Sequence, residues 1–63
     1  MVDKLTYNVS EAATALGVSR PTIYRLLRRK DFPSLKVGGR TLVSRAGLER
    51  WVDQQTQIEE AQR

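Results

Sequence analysis

The stretch Ser19–Arg40, SRPTIYRLLRRKDFPSLKVGGR, decides how the rest of the chain is read. It sets Arg20, Arg25, Arg28, Arg29, Lys30, Lys36 and Arg40 against one acid, Asp31. Ser19 reads as a helix N-cap, and Pro21 falls in the first turn, where a missing N–H costs nothing. Ile23, Leu26 and Leu27 recur at i, i+3 and i+4, which predicts a face that packs. Pro21, Arg25 and Arg28 lie on the opposite side, flanked by Thr22, Tyr24 and Arg29, so the basic face is free. Asp31-Phe32-Pro33 ends the helix, because a proline biases the residue before it away from helical geometry. Leu35-Lys36-Val37 alternates, Gly38-Gly39 marks a tight turn, and Arg40-Thr41-Leu42-Val43 returns, which reads as a β-hairpin with Arg40 at its tip. A two-residue turn pairs Leu35 with Leu42, whereas a three-residue turn pairs Leu35 with Val43 and sends Leu42 outward. The second is favoured because it keeps Val43 inside.

Upstream, Tyr7-Asn8-Val9 alternates like a short extended segment behind a loose lead-in, residues 1–6. Ser10 reads as the N-cap of a two-turn helix in which Ala12, Ala13 and Leu16 share one face and Gly17 is the stop. This helix is therefore joined tightly to the one after Ser19. Downstream, Ser44 caps a third helix whose stripe is Leu48, Trp51 and Val52, with Trp51 expected to anchor the core. From Asp53 the sequence is almost wholly polar, Ile58 excepted, so fraying is expected there. The domain is placed at residues 7–53 and a polar tail at 54–63.

The 63 residues allow one small domain, which buries only about 60% of the surface its unfolded chain exposes. Absence of cysteine and histidine removes disulfides and the usual zinc ligands, and no cofactor is expected. No nucleophile and base, P-loop or carboxylate cluster is present, which argues against an enzyme. No apolar run is long enough for a signal peptide or a membrane span, so a soluble, cytoplasmic protein is expected. The net charge of +4 is segregated into Ser19–Arg40, with a slight acidic excess elsewhere. Such a patch points to a polyanionic partner, with nucleic acid ahead of an anionic membrane face.

Helix, tight turn, helix with a basic outward face, then a hairpin with a basic tip is the order of a winged helix-turn-helix, mainly α with a small β-hairpin. Such a helix fits the DNA major groove, where arginine forks onto guanine O6 and N7. The hairpin reaches the backbone or places Arg40 in a narrow minor groove. Recognition-helix contacts are expected from Ser19, Arg20, Pro21, Thr22, Tyr24, Arg25, Arg28 and Arg29, with Arg25 and Arg28 first for bases. Wing contacts are expected from Lys36, Gly38, Gly39 and Arg40. Tyr24 equally fits a place at the edge of the core.

YNVSEAATALGVSRPTIYRLLRRKDFPSLKVGGR followed by VSRAGLERW resembles the small excisionases of phages and mobile elements, mycobacteriophages among them, whose fold is related to the MerR-type winged-helix domain. The resemblance covers Tyr7 to Val52. It implies a recombination directionality factor that binds adjacent sites on double-stranded DNA cooperatively, bends the DNA and helps integrase run toward excision. It also implies self-association along DNA and residence with the nucleoid of a bacterial host. At Thr41-Leu42 the sequence departs from a common pattern of an apolar residue followed by a basic one, which puts a phosphate contact from position 42 in doubt. An outward Leu42 could touch a neighbouring protomer. A small winged-helix transcriptional regulator has the same surface, and a protein-interaction module with an acidic partner is a third class.

Overall fold

The computed structural model describes the backbone of residues 4–61 and the side chains of residues 4–56. The elements are β1 (Thr6–Tyr7), α1 (Val9–Leu16), α2 (Arg20–Leu26), β2 (Ser34–Val37), β3 (Arg40–Ser44) and α3 (Arg45–Ala61). Together they make a winged helix-turn-helix, with three helices and an antiparallel sheet in the order β1-β3-β2.

The cap of α1 is Asn8, not Ser10. Asn8 Oδ1 accepts from the Glu11 N–H at 2.8 Å, and Glu11 Oε1 accepts from the Asn8 N–H at 2.9 Å. Only Asn8 has an acid three positions on, so only Asn8 can satisfy two orphan amides reciprocally. Gly17 stops the helix as expected, at φ 73° in the left-handed region, while the Val18 N–H reaches back to Ala13 O at 3.0 Å. Ser19 has the extended backbone of an N-cap, but its hydroxyl meets Thr22 Oγ1 at 3.0 Å and caps no backbone amide.

The second helix is shorter than its stripe predicts. It ends at Leu26, and Arg28 and Arg29 donate to Arg25 O and Leu26 O in tightened, three-residue turns. Arg28, Arg29 and Lys30 supply no apolar side chain to hold another helical turn, whereas unwinding carries Phe32 into the core at 4% exposure. Arg28 and Arg29, expected on this helix, therefore stand beyond its end.

The hairpin has the two-residue turn, with Leu35 opposite Leu42 and Val37 opposite Arg40. Gly38 and Gly39 lie at φ 57° and 79°. Two positive φ values make a type I′ turn, whose twist matches the flanking strands. The three-residue alternative is thus overturned, yet its motive survives: Val43, opposite Ser34, is 1% exposed, and alternation turns Leu42 to the other face. Thr6, read as lead-in, pairs with Ser44 as the start of a third strand, and Tyr7 pairs with Val43.

Ala12, Ala13, Ile23, Phe32, Val43 and Leu48 are buried, with Tyr7, Val9, Leu16, Leu26, Leu27 and Trp51 packed around them. Trp51 is half-buried at the rim, edge-on to Phe32 with centroids 5.1 Å apart. Ser44 caps α3 as expected, accepting from the Gly47 N–H at 3.0 Å. The helix continues through Ala61 instead of fraying from Asp53. The Ile58 side chain, Met1–Asp3 and the last two residues lie outside the described residues.

Candidate nucleic-acid interface

Ile23 is fully buried and Leu26 packs beside it, which turns the opposite face of α2 outward. Arg20 opens the helix, Pro21 and Arg25 are exposed, and Tyr24 is 51% exposed, which takes its ring off the core edge. A cleft of about 370 Å³ joins three elements: Asn8, Val9 and Ser10 at the start of α1, Arg20 and Tyr24 on α2, and Arg40 and Thr41 just past the turn of the wing. Register sets Lys36 opposite Thr41. Arg20, Tyr24 and Arg40, distant in sequence, thus share one concave surface.

Asn8, Val9, Ser10 and Thr41 were not foreseen there. The signal available was the spacing of Asn8 to Glu11, which moves the helix start upstream to Val9 and places the first residues of α1 in the cleft with Arg20. Arg25 lies in the last turn of α2, and Arg28 in the turn after it, outside the cleft. Gly38 and Gly39 form the exposed tip. A larger groove of about 480 Å³ between α1 and α3, lined by Ala15, Leu16, Leu48 and Val52 among others, contains none of the expected contacts.

A family model described as a helix-turn-helix domain matches residues 6–56, from the first residue of β1 far into α3. The chain belongs to this helix-turn-helix family. The family includes excisionase-like DNA-binding proteins, and membership points to DNA as the partner. Neither a curated protein nor a solved structure gives a match.

In this helix-turn-helix domain most of the cations of the Ser19–Arg40 stretch are outside the ion pairs seen among the described residues. Among the described residues, Arg20, Arg25, Arg28, Lys30, Lys36 and Arg40 have no carboxylate partner, because the two ion pairs are Lys4–Glu11 at 2.7 Å and Arg29–Asp31 at 2.8 Å. A hydrogen bond from Lys4, followed by one from the Asn8 N–H, holds the Glu11 carboxyl below its ordinary pKa. The Arg29 guanidinium does the same to Asp31, with a smaller share from Trp51. Both acids stay ionised and are balanced by a cation of their own, neither of which lines the cleft. Among the described residues no helix is long and apolar enough to cross a membrane.

Proposed function

We propose that this protein grips duplex DNA at two points, with α2 in the major groove and the hairpin wing on the adjoining backbone. The observation that carries this reading is the cleft that gathers Arg20 and Tyr24 with Arg40 from another element. Arg25 and Arg28 read base edges, and Arg20, Ser19, Pro21, Thr22, Tyr24, Lys36, Gly38, Gly39 and Arg40 hold phosphate and sugar. The outward, unpaired state of these cations supports the assignment, since they reach phosphate without first breaking an internal ion pair.

The biological role we propose is that of a non-enzymatic excisionase, acting in a bacterial host to bend DNA and turn integrase toward excision. One domain of this size touches few base pairs, so useful affinity calls for several copies side by side. Leu35 and Val37, 39% and 53% exposed on the hairpin, support contact with a neighbouring copy. Footprinting on an attachment region, with and without integrase, tests the role. Adjacent protected sites and integrase-dependent excision are expected. Promoter occupancy without any effect on recombination would instead make the protein a transcriptional regulator.

A further inference from the structure

We infer that Asp31 is a positioning residue of the DNA-binding surface: it clasps Arg29 onto Trp51 and withholds that one cation from phosphate. The inference rests on the DNA-binding reading above and alters its charge inventory. Of the seven basic residues between Ser19 and Arg40, Arg29 has a carboxylate partner among the described residues. The contact is a two-bond fork, Arg29 Nε to Asp31 Oδ1 at 2.9 Å and Nη2 to Oδ2 at 2.8 Å. Forked guanidinium–carboxylate pairs fix orientation as well as distance. Trp51 Nε1 donates to the same Oδ2 at 3.3 Å, and the guanidinium carbon lies 5.8 Å from the indole centroid. Phe32 then braces the indole edge-on.

Two consequences follow from this geometry. The turn after α2 is fastened to α3, so the recognition helix is held at both ends, by the Gly17 turn before it and by the clasp after it. Arg29 is also tethered by carboxylate and ring together. Swinging it to a phosphate would leave a bare Asp31 carboxylate beside the DNA, where like charges repel. Nonspecific affinity scales with the number of phosphates neutralised, so an arginine kept out of that count favours base-directed over indiscriminate binding.

The test is a salt titration of binding to labelled random-sequence duplex DNA by the full chain. The variants are Asp31→Asn, Arg29→Gln, the double variant, and Asp53→Asn as a matched loss of one negative charge on α3. Asparagine keeps the acceptor for Trp51 and glutamine keeps a stem over the indole, and circular dichroism confirms the fold. Wild type and Arg29→Gln are expected to give the same slope of log affinity against log salt. Asp31→Asn should be steeper by about 0.9, one phosphate contact. The double variant should return to the wild-type slope, and Asp53→Asn should not leave it. A flatter slope for Arg29→Gln, or an unchanged one for Asp31→Asn, overturns the clasp while leaving the DNA-binding reading intact. Absence of any salt-dependent duplex binding by wild type sinks that reading, and the clasp's role in it as well.

Discussion

Gly47 shows how a single side chain's absence can hold a small domain together. A Cβ built there would stand 2.7 Å from Pro33 Cβ and 3.1 Å from Ser44 Oγ, the atom that caps α3. In an exposed helix, Gly→Ala gains about 1 kcal/mol from backbone propensity. Here the neighbour is a rigid proline ring, so Gly47→Ala is expected to lose about 1–3 kcal/mol net by overpacking. Thermal melting checks this, at roughly 4–8 °C for each kcal/mol in a domain of this size. The same scale governs pH. Glu11 and Asp31 both have carboxyl pKa values lowered by their partners, Lys4 and Arg29 first. A lowered folded pKa contributes stability above the unfolded value and loses it as pH falls through the folded one. Melting temperature is therefore expected to decline below about pH 4, and a Glu11→Gln, Asp31→Asn double variant should decline less steeply.

At the scale of the element, the start of α1 separates two readings of the same sequence. Asn8→Ala removes a side-chain acceptor and breaks the capping box, a loss of about 1 kcal/mol, whereas Ser10→Ala inside the first turn should change little. Paired thermal melts of the two variants check the difference. The helices themselves were legible because their signals are local: Ile23 with Leu26 and Leu27, Gly17 after Leu16, and Ser44 three residues before Gly47. The Gly38-Gly39 pair likewise marked the hairpin. Its register was misread because Val43 was assumed to need the longer turn, when strand alternation buries it in the shorter one. The end of α2 was misplaced for another reason. Periodicity through Leu27 says where helix is allowed, but the burial of Phe32 and the pull of Asp31 and Trp51 on Arg29 decide where it stops. The Trp51 contacts, 20 and 22 positions away, and the pairing of Thr6 with Ser44, 38 positions apart, leave no mark on local pattern.

For the whole molecule, the sequence showed a basic helix and a basic wing, and the fold brings Arg20 of the one and Arg40 of the other to one cleft. Arg20 and Arg40 were foreseen as contacts, but their company with Asn8, Val9, Ser10 and Thr41 depends on how α1, α2 and β3 meet around the core. The proposed division of labour can be tested through affinity. An arginine forked onto guanine contributes discrimination of about 1–3 kcal/mol, while an arginine on phosphate contributes equally to every sequence. The most direct measurement compares the binding of wild type, Arg25→Ala and Arg40→Ala to a footprinted site and to random duplex, with the fold verified for each. Arg25→Ala is expected to lose about tenfold or more on the site and far less on random DNA, a difference of at least about 1.4 kcal/mol, and Arg40→Ala to weaken both by a similar factor. Wild-type affinity for both duplexes in both variants would contradict the two-point grip.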